Sequence, residues 1–94
     1  VGTSEATINT FDKNGLKSAK LVVTLSKSTK RTTFEMLVTY NETNVVSTIY
    51  AILDSQDASL LNAVGVSSSG STIDIDITGS EDTIACIIEG ISFY

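Results

Sequence analysis

Enzymatic chemistry needs groups that carry protons or attack an electrophile, and this sequence holds few of them. The chain has no histidine, which removes the commonest general base, the commonest transition-metal ligand and every Ser-His or Cys-His nucleophile arrangement. Cys86 is the only cysteine, so neither an intrachain disulfide nor a multi-cysteine metal site can form. Within Ile84-Ala85-Cys86-Ile87-Ile88 it reads as a small buried hydrophobe rather than a reactive thiol. Paired carboxylates remain, and two suffice for glycoside hydrolysis. That chemistry needs a deep cleft, however, which 94 residues have little material to build. No enzymatic activity and no cofactor are expected.

Asp74 and Asp76 flank Ile75, so on a strand both carboxylates leave the same face. With Glu81 or Asp82 they would offer oxygen ligands of the kind calcium takes. No Asp-rich loop with the calcium-binding glycine accompanies them, so a solvated strand face that keeps the sheet soluble is the preferred reading and no metal is expected. Asn41-Glu42-Thr43 fits an N-glycosylation acceptor but is assigned to a turn. Gly65, Gly70 and Gly79 are too far apart for a phosphate loop, and no lysine follows them. Tyr40, Tyr50, Phe93 and Tyr94 would stack on sugars if exposed together. Each lies in an apolar run, which favours core or interface packing.

Charge narrows the partners. The net charge is −5, the wrong sign for a phosphate backbone, so nucleic acid is not an expected partner. All six basic residues (Lys13, Lys17, Lys20, Lys27, Lys30, Arg31) precede Thr32, whereas nine of the eleven acids follow it. Such polarity would orient subunits head to tail. An assembly interface is therefore expected in which Lys17, Lys20, Lys30 and Arg31 face Asp74, Asp76, Glu81 and Asp82.

The elements that position these groups read as strands. Hydrophobic content is 41% and mean hydropathy is +0.21, too apolar for disorder. Proline is absent, which leaves Gly, Asn, Asp and Ser to punctuate the chain. A thin first strand, or an arm, is expected over Thr3–Phe11, closed by Asp12-Lys13-Asn14-Gly15. Ala19, Leu21, Val23 and Leu25 alternate with Lys20, Val22, Thr24 and Ser26, and Phe34, Met36, Val38 and Tyr40 with Thr33, Glu35, Leu37 and Thr39, which predicts an antiparallel hairpin turning over Ser26–Arg31. After Asn41–Asn44, Val45–Leu53 is apolar on both faces, with Val45, Ile49 and Leu53 on one and Val46, Tyr50 and Ile52 on the other. It is expected to be either a central strand or a strand covered by a partner, closed by Asp54–Asp57. Ala58–Val66 reads as a short strand with an irregular start, Ser67–Gly70 as a loop, and Ile73–Ile77 as a strict alternation. Thr83–Tyr94 reads as a last strand apolar on both faces.

Seven or so strands at about ten-residue spacing predict an all-β fold, an antiparallel sandwich or small barrel. The expected organisation is one β domain over 1–94, with 1–10 as a possible arm or pairing strand. No run approaches the roughly 20 apolar residues of a membrane span, and Val1–Glu5 lacks the regions of a signal peptide. No membrane partner is expected.

The pair Ser18-Ala19-Lys20-Leu21-Val22-Val23 and Thr32-Thr33-Phe34-Glu35-Met36-Leu37-Val38, followed by Ser47-Thr48-Ile49-Tyr50 and the alternating Ile73–Ile77, resembles a β-rich module of marine tailed-phage virion proteins, notably those of cyanophages. The resemblance covers most of Phe11–Thr78. It departs at Asn41-Glu42-Thr43-Asn44, where the module often has Asp-Gly. It implies a structural role in a virion, in head decoration, tail or fibre, with a homo-oligomer or a larger capsid or tail protein as partner and no catalytic set. Two other readings stand beside it, a carbohydrate-binding or adhesion module at a fibre tip and a bacterial surface-filament subunit that donates its first strand.

Overall fold

β-Branched and aromatic residues at period two, separated by clusters of Asn, Asp, Ser and Gly, dictate short strands with tight turns. The computed structural model describes residues 1–56 and 58–94 and, among them, contains seven strands and no helix. These are β1 (Ala6–Asp12), β2 (Ser18–Lys27), β3 (Lys30–Tyr40), β4 (Val45–Asp54), β5 (Leu61–Ser69), β6 (Thr72–Gly79) and β7 (Ala85–Phe93). All pairs are antiparallel. They form two sheets, ordered β1-β6-β5 and β4-β3-β2-β7. The chain is an all-β sandwich. The second order places β7 beside β2 after a long excursion through the other sheet, which is Greek-key connectivity.

The core comes from the inner faces of three strands. Leu21, Val23 and Leu25 of β2 and Phe34, Met36 and Val38 of β3 are buried, and Ile73, Ile75 and Ile77 of β6 face them. Leu16, Leu60 and Ile84 seal the ends. Phe11 and Val66 pack on the margin from β1 and β5. One buried polar group spans the layers: Thr32 Oγ1 donates to Asp54 Oδ1 at 2.8 Å and accepts from the Leu60 N–H at 3.0 Å, which fixes the crossover from β4 to β5.

Turn chemistry sets the registers. The β2–β3 hairpin is tighter than its polar run suggests, because Lys27 pairs with Lys30 and only Ser28-Thr29 turns the chain, with Ser28 at φ 55°. Gly70, at φ 53°, does the same for Gly70-Ser71 between β5 and β6. The residues Ser67–Ser69, read from sequence as a loop, are thus the end of a strand. At Asn41–Asn44 the Asn41 side chain accepts from the Thr43 and Asn44 N–H groups at 3.0 and 2.7 Å. Asp57, assigned to the turn after β4, lies outside the described residues.

Of the two alternatives for β4, the central strand is excluded, because β4 is an edge strand beside β3, and one face assignment is corrected. The alternation of β4 breaks at Ala51, which has φ 53°. Glu35 faces Tyr50 and Thr33 faces Leu53, so Ala51 and Ile52 together oppose Phe34. This bulge moves Leu53 to the outer face with Val46 and Tyr50, away from Val45 and Ile49.

The first residues are anchored within the sandwich. The Val1 nitrogen donates to the Ile84 carbonyl at 3.0 Å, the Ile84 N–H returns a bond to the Val1 carbonyl at 2.7 Å, and the Gly79 N–H donates to the Gly2 carbonyl at 2.8 Å. This needs glycine at position 79, where a Cβ would lie 2.7 Å from Ile84 Cδ1 and 3.0 Å from the Gly2 carbonyl oxygen. Gly79→Ala should therefore cost about 1–3 kcal/mol in urea unfolding. Gly65→Ala, where a Cβ meets open space, should be neutral or stabilise by up to about 1 kcal/mol.

Candidate assembly surface

A sheet in a two-layer sandwich has one face in the core, and its other face meets water or a partner. The two outer faces here differ sharply. On the three-stranded sheet, the strand registers align Thr7, Thr10, Asp74, Asp76, Gly65 and Ser67 on the outside. Its carboxylates are satisfied by hydroxyls: Thr7 and Ser67 donate to Asp76 at 2.7 and 3.0 Å, and Thr72 donates to Asp74 at 2.8 Å.

The outer face of the four-stranded sheet is far richer in exposed aliphatic and aromatic side chains, which alternate with threonines and a few charged groups. Following the registers across β4, β3, β2 and β7, one row carries Val46, Thr39, Ser18 and Phe93, the next Thr48, Leu37, Lys20 and Ile91. Below them lie Tyr50, Glu35, Val22 and Glu89, then Leu53, Thr33, Thr24 and Ile87. Seven large aliphatic or aromatic side chains are exposed here, from 42% at Val22 to 69% at Leu53. Its charged groups are few: Lys20 Nζ lies 3.5 Å from Glu35 Oε1, Glu89 stands on the edge strand at the other diagonal of Lys20, and Arg31 lies at the hairpin end of the face. Two shallow grooves cross the face. One of about 450 Å³ is lined by Leu37, Thr39, Val46 and Thr48, the other of about 480 Å³ by Lys20, Val22, Glu89 and Ile91.

The eight charged residues expected at an assembly interface are scattered. Lys30 and Glu81 meet within the chain, with Nζ donating to Oε2 at 2.7 Å, and Lys27 Nζ lies 3.4 Å from Oε1 of the same carboxylate. Asp82 accepts from the Thr3 hydroxyl at 3.2 Å, and its carbonyl accepts from Lys27 Nζ. Arg31 Nη1 donates to the Ser28 and Lys30 carbonyls at 2.8 and 2.9 Å. Lys20 sits on the apolar face beside Glu35. Lys17 joins the sheet through its backbone, donating to the Phe93 carbonyl at 2.8 Å. Asp74 and Asp76 lie on the polar outer face. The polarity along the sequence is thus partly folded onto itself, since the acidic segment after β6 packs on the basic β2–β3 hairpin.

Four aromatics considered for sugar stacking are likewise separated. Tyr40 is buried, Tyr50 and Phe93 lie at opposite margins of the apolar face, and the Tyr94 hydroxyl donates to the Asp12 carbonyl at 2.7 Å. Burial pushes the Cys86 thiol up from its ordinary pKa, which suppresses the thiolate. Among the described residues no three His, Cys, Asp or Glu side chains come together as a metal site. Sequence reasoning marked β4 and β7 as doubly apolar but passed over Val22 and Leu37, whose signal is an aliphatic residue at a position where the alternation calls for a polar one.

With the sandwich and its surfaces described, comparison with known proteins adds nothing further: no protein-family model, no curated protein and no solved structure matches the chain.

The hydrogen bond from Lys30, reinforced by Lys27, holds the Glu81 carboxyl below its ordinary pKa of 4.5. A carboxyl whose pKa is lowered by folding stabilises the fold above its unfolded pKa, and that contribution is lost as pH falls through the folded value. Glu81→Gln should therefore unfold at lower urea than the wild type at pH 7, and the difference should close as both are acidified past the lowered pKa.

Proposed function

We propose that this chain is a small accessory structural protein of a tailed-phage particle, working through protein–protein contact as part of the head decoration, tail or fibre. The observation that supports it is the outer face of the four-stranded sheet. Four strands at about 4.8 Å spacing and about 30 Å length present roughly 600 Å². The whole face thus approaches the roughly 800 Å² that each partner contributes to a standard interface, and its exposed aliphatic and aromatic side chains are grouped on it rather than scattered singly, as they are on most monomer surfaces. A face with few charged groups among aliphatic, aromatic and threonine side chains matches the anatomy of such interfaces, which are depleted of charge at the core. The phage setting comes from the resemblance of the β2–β3 pair, the Ser47–Tyr50 segment and β6 to the virion module.

Val22→Lys with Leu37→Lys places two charges on this face without touching the core. Both side chains are exposed, so the double variant should stay folded, with stability within about 1 kcal/mol of wild type. Its abundance in purified particles, measured by quantitative mass spectrometry, should fall at least tenfold. Equal incorporation of variant and wild type would overturn the reading, as would a wild-type chain absent from particles.

A further inference from the structure

An edge strand exposes a row of unpaired backbone N–H and C=O groups, and natural sheets blunt such edges with bulges, lysine, proline or covering segments. This sandwich has four edge strands, β1, β5, β4 and β7. Three of them are bulged, and in each the extra residue lies on the edge strand itself. The β1–β6 register slips at Ile8, the β5–β6 register at Asn62, and the β3–β4 register at Ala51-Ile52. β7 is different. It pairs with β2 through nine consecutive residues with no irregularity, and within Ala85–Phe93 it has no proline, lysine or arginine. Its side chains from Glu89 to Phe93 are all exposed.

We propose that β7 is a strand-pairing edge, and that its occupant is β7 of a second copy of this chain, added antiparallel about a two-fold axis. The asymmetry of the edges selects this occupant. A regular ladder needs an unbroken partner, and of the edges a second copy offers, β7 alone has one. The two-fold also closes the contact, so the pairing stops at a dimer. It joins two four-stranded sheets into one of eight strands, and the two apolar outer faces become continuous.

Side-chain chemistry favours one register. An axis through Glu89 would set two carboxylates directly opposite, which is destabilising. Moving it one residue, to Gly90, sets Ile87 opposite Phe93 of the second copy and Glu89 opposite Ile91, and leaves only glycine at the axis. Both apolar partners are exposed in the single chain, Ile87 at 67% and Phe93 at 51%, so the pairing removes them from water at no cost to the core.

The inference rests on the assembly reading and names the partner of its edge. The test is sedimentation velocity over a wide concentration range, together with oxidation of an Ile87→Cys/Phe93→Cys double variant in a Cys86→Ser background. The expected result is a doubling of mass with concentration, and a covalent dimer under mild oxidant because opposed Cβ atoms lie within disulfide reach. A chain that stays monomeric to millimolar concentration overturns the inference, and so does a dimer whose cysteines do not cross-link. A monomer that still enters phage particles overturns this inference alone, whereas a cross-linked dimer absent from particles upholds it and overturns the assembly reading.

Discussion

The sandwich depends on one contact, three isoleucines of β6 against the inner faces of β2 and β3. Ile73, Ile75 and Ile77 are fully buried and meet Leu21, Val23, Leu25, Phe34 and Met36, which are also fully buried. Burial of this kind contributes about 1.5–3 kcal/mol per large side chain. A domain this small has no second core to fall back on. The remaining elements are arranged around that contact. β1 and β5 flank β6 and close the margins with Phe11 and Val66, and Thr32 pins the crossover that brings β5 back over the core. Val1 and Tyr94 add to this, bonded at Ile84 and at Asp12.

A core built from three strands leaves the outsides of both sheets free to specialise. The three-stranded sheet carries small and acidic residues whose hydroxyl and carboxylate groups satisfy one another. The four-stranded sheet carries exposed aliphatic and aromatic residues among threonines and the Lys20–Glu35 pair. Thus the two surfaces differ in hydrophobicity although they lie on one small fold. The edges repeat the pattern, since bulges break the ladders of β1, β4 and β5 and leave β7 regular. The exposed aliphatic side chains and the regular edge belong to the same sheet.

Much of this was legible in the sequence where alternation is strict. The inner faces of β2, β3 and β6 follow directly from Leu21-Val23-Leu25, Phe34-Met36-Val38 and Ile73-Ile75-Ile77, because period two leaves no other face for them. Legibility fails where the backbone departs from that period. The Ala51 bulge has no glycine or asparagine to announce its positive φ, so period two alone puts Leu53 on the wrong face. The segment before β5 mixes Leu60 and Leu61, one sealing the core and one at its margin, and neither helical nor strand spacing separates them. The charge polarity along the chain was visible, but its folding back was not. The meeting of Lys27 and Lys30 with Glu81 depends on the loop after β6 reaching the β2–β3 hairpin, a contact between residues about fifty positions apart.

The central claim is that the apolar face of the four-stranded sheet is covered when the protein works, and side-chain footprinting by carbene labelling tests it most directly. The chain would be labelled alone and within purified particles. The account predicts strong labelling of Val22, Leu37, Ile87 and Ile91 in the isolated chain and loss of that labelling in particles, with Thr7, Thr10 and Ser67 on the opposite face labelled alike in both. Equal labelling of Val22, Leu37, Ile87 and Ile91 in the two states would contradict it.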